Sequence, residues 1–301
     1  MLHRKFGMKK TLFAAAVFCA SFCVSSVSCS KADADSPQKT QNQLKKEDTM
    51  PVQSKTLTIE SNSKSIYAIM HAPDDTEKHP AVICSHGFNG SGDDFTADCL
   101  FYAQRGFVAL SYDFSGGSAR SRSRGKSTDM TLFTEKEDLQ AVFAFVQSMD
   151  SVLPGSIFLM GASQGGMVTA LCAEELQGAI KGVTLYFPAF CIPDDWRKKL
   201  PDTDSIPDKL NFWGLDLGKD FFVSIHDFYT FDSIGGYEGN VLIIHGDKDP
   251  VVPLSYSQEA QKLYKHAELE VLPGEGHGFS PAGGEKARAL VADFMQAQLH
   301  K

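Results

Sequence analysis

The sequence predicts an α/β protein with a mostly parallel central sheet, helices on both sides of it, and a small cap inserted late in the chain. Short apolar runs alternate with helix-forming segments over most of the length. The apolar runs are nearly continuous, which is typical of parallel strands covered on both faces. One connection, at about residues 188–236, is far longer and more aromatic than a plain loop. This connection predicts the cap.

The first 28 residues are predicted to be a signal peptide. Lys9 and Lys10 precede an apolar run over residues 12–27 that is short for a membrane span. Ser26-Val-Ser-Cys29 resembles a bacterial lipobox, in which Cys29 would carry lipid. Ala32-Asp-Ala34 offers an ordinary signal-peptidase site instead, and an uncleaved anchor is a third alternative. We therefore expect an exported protein, either a cell-envelope lipoprotein or a periplasmic or secreted one.

Residues 29–53 are polar and lack hydrophobic periodicity, which predicts a disordered tether before a folded domain at 54–301. No later stretch approaches the roughly 20 apolar residues that span a bilayer. The formal net charge is −8, which argues against nucleic acid or an anionic membrane surface as the main partner. Membrane contact is expected only through lipid on Cys29.

The cysteines of the folded domain do not suggest a metal site or a disulfide framework, because they are widely spaced. Cys84, Cys99 and Cys172 lie in apolar strand-like or helix-like runs and are expected to be buried free thiols. Cys191 is not assigned. No cofactor and no metal are expected.

Along the chain, strands and helices are predicted in the order of an α/β sheet. The first two strands alternate polar and apolar residues and are expected to pair as a hairpin. The predicted strands span 55–60, 65–70, 80–85, 107–112, 156–160, 180–187, 240–245 and 269–272. The predicted helices span 94–105, 134–149, 164–176, 254–266 and 284–299.

The cap at 188–236 contains both tryptophans, Trp196 and Trp213, and several phenylalanines and tyrosines. So many aromatic side chains would be costly to leave in water, so we expect them to pack together. The alternative is a loosely packed surface excursion.

Gly161-Ala-Ser163-Gln-Gly165 joins a predicted strand to a predicted helix. A strand, a sharp turn and a helix with serine at the turn is the nucleophile-elbow pattern. The flanking glycines let strand and helix approach closely around a strained serine. The pattern predicts Ser163 as a nucleophile, and an ordinary strand-to-helix turn is the alternative.

A serine nucleophile needs a base and an acid that orients the base. His277 lies in a glycine-rich loop after the last predicted strand, and Asp249 follows the strand before it. Asp247 is the rival acid, although its position suits capping of the turn. His277 alone among the histidines in strand-end or glycine-rich positions follows both Ser163 and the acid. The sequence therefore predicts a triad of Ser163, Asp249 and His277.

Two backbone N–H groups are expected to stabilise the oxyanion. One belongs to Gln164, at the start of a helix whose dipole favours negative charge. The other belongs to Phe88, in the loop Ser85-His-Gly-Phe-Asn-Gly90, for which a plain glycine-rich turn is the alternative. All these motifs lie at the carboxyl ends of predicted strands, where ligands bind in open α/β sheets.

From about residue 55 to 298 the chain resembles an α/β-hydrolase, and more narrowly the cinnamoyl/feruloyl esterase-like branch. The resemblance implies the α/β-hydrolase fold, the same triad and oxyanion donors, and a cap that recognises the substrate's aromatic or acyl portion. It rests on Ser85-His-Gly-Phe-Asn-Gly90, Tyr112-Asp-Phe-Ser-Gly116, Met130-Thr-Leu132, Glu137-Asp138, Gly161-Ala-Ser-Gln-Gly165, Ile206-Pro-Asp-Lys-Leu210, His245-Gly-Asp-Lys-Asp249 and Gly276-His277.

The chain departs from that branch in two places. Arg120, Arg122 and Arg124 lie in a loop where the family has a Gly-x-Gly-x-Ser turn. These arginines either meet an anionic substrate or are solvated. The cap does not match the polar residues that hold a hydroxycinnamate's phenolic end, so ferulate is not assigned as the substrate.

The expected function is a serine hydrolase that cleaves small to medium acyl or aromatic carboxylic esters through an acyl-enzyme. Its partner would be a small-molecule ester. A peptidase or lysophospholipase on the same triad is the alternative enzyme. A surface lipoprotein that binds a ligand without chemistry is the alternative from another class.

Overall fold

The computed structural model describes residues 49–61 and 64–300. The predicted signal peptide, Cys29 and the tether up to residue 48 lie outside those residues. Strand β1 begins at Val52, so the last two residues of the predicted tether belong to the sheet. The extra length follows from pairing, since Val52 lies opposite Pro73 in the antiparallel hairpin.

In the described part of the chain, eight strands form one mixed sheet in the order β1-β2-β4-β3-β5-β6-β9-β10. β2 pairs antiparallel with β1 and with β4, and the remaining neighbours pair in parallel. The strands of this sheet are β1 (Val52–Ser61), β2 (Lys64–Pro73), β3 (His79–Ser85), β4 (Val108–Tyr112), β5 (Val152–Ala162), β6 (Gly182–Tyr186), β9 (Val241–Gly246) and β10 (Ala267–Leu272). The predicted hairpin and parallel sheet are confirmed.

Helices cover both faces of the sheet. They are α1 (Thr96–Ala103), α2 (Leu132–Gln147), α3 (Gln164–Leu176), α4 (Ile192–Lys199), α5 (Lys219–His226), α6 (Leu254–Leu263) and α7 (Pro281–Leu299). α2, α3 and α6 bury apolar side chains on one face, and α1 and α7 bury theirs on the other. Alternate residues of β3 divide between the two cores, with Ile83 on the first and Val82 on the second. Burial from both sides explains why this strand is apolar without alternation.

The chain between β6 and β9 contains α4, α5 and a two-stranded antiparallel sheet of β7 (Lys209–Phe212) and β8 (Leu215–Gly218). We call this segment the insertion, and its elements fall within residues 188–236. Trp196 lies at its centre, with its ring centroid 5.0 Å from Phe212 and 4.7 Å from Phe222. The aromatic residues therefore form a packed layer, although Trp213 keeps 62% of its surface exposed.

The cysteines of the described chain are free and buried, including Cys191. Cys84 in β3 and Cys99 in α1 lie with their sulfurs 3.8 Å apart. None of the described helices combines the length and apolar character needed to cross a bilayer.

Candidate active site

Ser163 occupies the turn between β5 and α3 with φ of 53° and ψ of −119°. A positive φ is costly for a residue with a side chain and persists where neighbours enforce it. The Ser163 N–H donates to the carbonyl of Tyr186 at 2.9 Å, and its carbonyl accepts from Ala189 N–H at 2.9 Å. Tyr186 is the last residue of β6, and Ala189 lies in the segment that follows it. The neighbouring strand therefore holds the strained turn.

The two glycines of the turn are required by close backbone contacts. A Cβ on Gly161 would lie 2.3 Å from the carbonyl oxygen of Gly165. A Cβ on Gly165 would lie 2.3 Å from the carbonyl oxygens of both Ser85 and His86. The start of α3 thus packs directly on the end of β3, which places the serine beside the loop that follows β3.

The structure brings the three predicted triad residues together. His277 Nε2 lies 3.0 Å from Ser163 Oγ, and His277 Nδ1 lies 2.8 Å from Asp249 Oδ2. With Nδ1–H donating to the carboxylate, the Nε2 lone pair faces the serine hydroxyl. This is the tautomer that can accept the hydroxyl proton.

Asp249 is held as an anion in a nearly closed site, with 1% of its side chain exposed. Its Oδ1 accepts the backbone N–H groups of Val251 at 2.8 Å and Val252 at 2.9 Å. Burial by itself raises the pKa of Asp249, but these N–H groups and His277 outweigh it and lower the pKa below its usual value. Asp247 instead accepts a hydrogen bond from Gly274 N–H, so it caps the turn as expected for the rival acid.

A second histidine contacts the same carboxylate. His245 Nε2 lies 3.2 Å from Asp249 Oδ2 and 3.1 Å from the carbonyl oxygen of Val252. Its Nδ1 lies 2.7 Å from Ser257 Oγ, and its side chain is fully buried. Burial lowers the pKa of His245, which keeps the ring neutral. The sequence analysis did not predict this contact, although the spacing of four residues between His245 and Asp249 was a usable signal.

The loop after β3 is fixed by His86. Its Nδ1 lies 2.7 Å from the carbonyl of Gly87, and its Nε2 accepts the N–H of Phe114 at 3.0 Å. Burial lowers the pKa of His86, and the neutral ring with hydrogen on Nδ1 satisfies both contacts. A Cβ on Gly87 would lie 3.2 Å from Ser163 Cβ. The glycine therefore lets the backbone reach the serine.

Phe88 and Gln164 follow Gly87 and Ser163, and both line the same cavity as the serine. Their backbone N–H groups donate to no protein acceptor among residues 49–61 and 64–300. Two free donors next to a serine hydroxyl are what an oxyanion site requires. The geometry is therefore compatible with the predicted donors.

Asn89, the next residue, ties this loop to two other segments. Its backbone has φ of 55°. Its side-chain amide donates to the carbonyl of Trp213 at 3.1 Å and accepts from Ala119 N–H at 3.0 Å. One side chain thus joins the loop after β3, the insertion and the loop after β4.

Gln164 is also anchored through its side chain. Its Nε2 donates to Glu135 Oε2 at 2.8 Å, and Glu135 is 1% exposed. Burial raises the pKa of Glu135 to about 8. Sequence reasoning did not single out this residue, since an acid near a helix start normally faces solvent.

The arginine-rich loop after β4 is engaged within the protein at Arg122. The Arg122 guanidinium binds the fully buried Asp113 through Nε at 2.8 Å and Nη2 at 3.0 Å, and lies over the Tyr67 ring. Arg120 is 62% exposed in its side chain and lies 3.5 Å from Asp94. Arg122 therefore has a structural role. Its partner is Asp113, which is neither of the two alternatives, a substrate or solvent, that were expected for the arginines of this loop.

The insertion covers the serine and encloses a cavity of about 240 Å³. We call it the acyl cavity for the role argued below. Its apolar wall comes from the insertion and the loop after β3: Phe88, Trp196, Phe212, Trp213, Leu217 and Phe221. Among the described residues, no group of three or more His, Cys, Asp or Glu side chains is arranged to hold a metal ion.

The chain matches known families over most of its length. The model of the prolyl oligopeptidase family matches residues 93–301, and that of acetyl xylan esterase (AXE1) matches residues 36–139. The chain is similar to Est1E from Butyrivibrio proteoclasticus, solved with ferulic acid bound, at 30% identity and a TM-score of 0.75. That match covers 81% of this chain and 100% of the other.

Curated relatives are more distant. The non-heme chloroperoxidase of Burkholderia pyrrocinia is 23% identical over 264 residues, covering 72% of this chain and 91% of that protein. The bifunctional esterase/perhydrolase DCH of Acinetobacter calcoaceticus is 22% identical over 262 residues, covering 72% of this chain and 92% of that protein. The chain belongs to the prolyl oligopeptidase family, has the α/β-hydrolase fold, and is a serine carboxylic ester hydrolase.

Proposed function

We propose that the protein hydrolyses small to medium acyl or aromatic carboxylic esters, with Ser163 as nucleophile, His277 as base and Asp249 as the acid that orients it. The observation that carries this proposal is the continuous hydrogen-bond chain from Asp249 through His277 to Ser163 Oγ. This series of hydrogen bonds ends at Ser163, which lines a cavity that a substrate can enter. A binding protein without chemistry would have no need of such an alignment.

In the proposed reaction, Ser163 Oγ bonds to the ester carbonyl carbon as His277 Nε2 takes the hydroxyl proton. The carbonyl electron pair moves to oxygen, and the N–H groups of Phe88 and Gln164 stabilise the resulting oxyanion. The oxyanion then collapses, the carbon–oxygen bond of the ester breaks, and His277 gives its proton to the leaving alcohol. Water then attacks the acyl-enzyme carbonyl as His277 takes a proton from it. The second oxyanion collapses, His277 gives the proton to Ser163 Oγ, and the carboxylic acid is released. The anionic Asp249 stabilises the imidazolium each time it forms.

The acyl cavity sets the proposed substrate size. Its volume of about 240 Å³ suits a short acyl chain or one aromatic ring. Its apolar wall favours groups that lose contact with water on binding. The ferulic acid bound in the structure of Est1E supports an aromatic acyl group as one option.

A peptidase is the second candidate, because the matching family is named for an oligopeptidase. The same serine, base and oxyanion donors can cleave an amide. The two candidates differ in the leaving group, so substrates that release an alcohol and a substrate that releases an amine distinguish them.

The test is hydrolysis of a short panel by wild type and by Ser163→Ala. The panel holds p-nitrophenyl acetate, butyrate and octanoate, methyl ferulate and an aminoacyl p-nitroanilide. We expect ester cleavage by wild type and a fall in kcat of about 10⁴- to 10⁶-fold in Ser163→Ala, with an unchanged Tm. Ser255→Ala, at an exposed position of α6, is the matched control.

Turnover that survives in Ser163→Ala would remove Ser163 from the reaction. Cleavage of the anilide at a rate comparable to the esters would favour the peptidase. No cleavage by folded wild type would favour a ligand-binding protein.

A further inference from the structure

Glu135 is a buried acid to which the proposed mechanism assigns no role. It lies in the first turn of α2 with 1% of its surface exposed. Its Oε2 accepts a hydrogen bond of 2.8 Å from the side-chain amide of Gln164, which is itself 2% exposed. Gln164 is also the residue whose backbone N–H is assigned to the oxyanion site. Glu135 therefore connects α2 to one of the two oxyanion donors.

Glu135 forms no ion pair within the part of the chain that the structure describes. Lys64 of β2 binds a different acid of α2, with its Nζ 2.8 Å from Asp138 Oδ1. The titratable groups that act on Glu135 are Asp138, whose negative charge opposes ionisation of Glu135, and the buried hydroxyl of Tyr112 at the end of β4. The fold thus gives Glu135 a neutral partner, the amide of Gln164, and no cation.

Burial without a cation explains why the pKa of Glu135 is raised to about 8. At neutral pH the carboxyl is therefore mainly protonated and uncharged. A protonated carboxyl keeps an oxygen that can accept the amide N–H of Gln164, so the hydrogen bond can form in both states. Gly117 leaves space beside the other oxygen, since a Cβ there would lie 3.1 Å from Oε1. Loss of the proton therefore changes the charge beside Gln164 and leaves its anchor in place.

This charge matters because a negative charge develops nearby during the reaction. The length of one glutamine separates the Glu135 carboxyl from the backbone N–H that binds the oxyanion. Two negative charges roughly 10 Å apart, at an effective dielectric constant of about 20, repel enough to slow a step about 10-fold. An ionised Glu135 would also oppose the positive end of the α3 dipole, which stabilises the oxyanion. The protonated form of Glu135 avoids both effects.

We propose that Glu135 is a positioning residue that acts in its protonated form, holding Gln164 so that its N–H faces the oxyanion, and that ionisation of Glu135 slows acylation at alkaline pH. The proposal rests on the ester hydrolysis proposed above and adds a control of that reaction by pH. The hydrogen bond acts at every pH, whereas the charge acts only when the carboxyl is ionised. Variants that keep the acceptor and lose the charge therefore separate the two effects.

The experiment measures kcat/KM of the full chain for ethyl butyrate from about pH 6 to about pH 9.5, by titration of released butyrate at constant pH. Glu135→Gln keeps an acceptor oxygen for Gln164 and cannot ionise. Glu135→Met has a similar size and neither the acceptor nor the charge. Glu137→Gln is the matched control, because it removes an acid of the same helix whose side chain is 61% exposed. Far-UV circular dichroism at each pH identifies the samples that are folded.

Wild type is expected to lose about 10-fold in kcat/KM between pH 7 and pH 9.5, and Glu137→Gln should follow the same profile. Glu135→Gln should lie within about 3-fold of wild type at pH 7 and show no alkaline fall. Glu135→Met should also show no alkaline fall. Its kcat/KM should be about 10- to 100-fold lower at every pH, because the oxyanion donor is no longer held in place.

A structural role alone would lower the stability of the variants and leave the shape of the pH profile unchanged. An alkaline fall in Glu135→Gln equal to that of wild type, or a wild-type profile without the fall, would overturn the proposal.

Wild-type activity in Glu135→Met would also overturn it. If Glu135→Met does not fold, Gln164→Met removes the other partner of the same hydrogen bond and should give the same loss at pH 7. Ester cleavage by wild type without these effects would overturn this proposal alone, whereas no cleavage of any ester would overturn the proposed function.

Discussion

Replacing Gly165 with alanine tests whether the contact between α3 and the end of β3 sets the position of the oxyanion donors. The added Cβ would lie 2.3 Å from the carbonyl oxygens of Ser85 and His86. Both are backbone atoms, which cannot rotate away as a flexible side chain can. Ordinary contact begins near 3.4 Å, so β3 and α3 must separate by roughly 1 Å. The loop that carries the Phe88 N–H follows directly after these carbonyls, so it must move with them.

The size of the effect follows from this displacement. A misplacement of about 1 Å near reacting groups costs about 100-fold in rate. Overpacking of this kind destabilises a protein by about 1–3 kcal/mol. For a domain of this size that corresponds to a fall in Tm of roughly 2–12 °C. We therefore expect Gly165→Ala to remain folded at 25 °C while its acylation rate falls about 100-fold.

The assay is single-turnover acylation by p-nitrophenyl butyrate, together with thermal denaturation. Gly178→Ala is the matched control, because a Cβ there would meet nothing within 4 Å. Wild-type acylation and Tm in Gly165→Ala would refute the steric argument. A lower Tm with unchanged acylation would uphold the contact and refute its connection to the oxyanion donors.

Two further predictions concern buried charges near the site. Burial raises the pKa of Glu135 from 4.5 to about 8, so the unfolded chain releases its proton first and the stability from Glu135 is lost as pH rises through this interval. Thermal denaturation should therefore show the Tm of Glu135→Gln rising relative to wild type between pH 5 and pH 8, and a constant difference would contradict this reasoning. Arg122→Met should destabilise the fold by about 1–3 kcal/mol, because Asp113 loses its guanidinium partner. The ratio of rates on neutral and anionic esters should stay unchanged in this variant, and a selective loss on anionic esters would instead place Arg122 in substrate binding.

The sheet and the positions of the candidate site residues were predictable from local sequence because each carries its own signal. Buried parallel strands are apolar runs, and the turn at Ser163 is marked by two glycines that close contacts require. Asp249 and His277 were found because each follows a predicted strand, and parallel strands present their carboxyl ends at the same edge. Helix ends were less predictable: α1 begins at Thr96, after a short 3₁₀ turn, instead of at Asp94.

The insertion and the approach of Arg288 to Asp98 could not be predicted in the same way. The insertion lacks a periodic pattern of apolar residues. Its core is instead an aromatic cluster around Trp196, whose members are distant from one another in the sequence. Asp98 and Arg288 meet only because α1 and α7 pack on the same face of the sheet. Neither residue belongs to a motif, so only the folded chain reveals the pair.

Asn89 has a consequence for how this enzyme can be altered. Its side chain joins the segment bearing the Phe88 N–H to the carbonyl of Trp213 in the insertion and to Ala119. The part of the molecule that sizes the substrate and the part that accelerates the reaction are therefore not independent modules. An insertion transplanted from a relative would have to bring a carbonyl to the same point, or the recipient would gain a new specificity at the expense of rate. Directed evolution of the insertion should accordingly find its compensating changes at residues 87–90 and 117–119, outside the segment being exchanged.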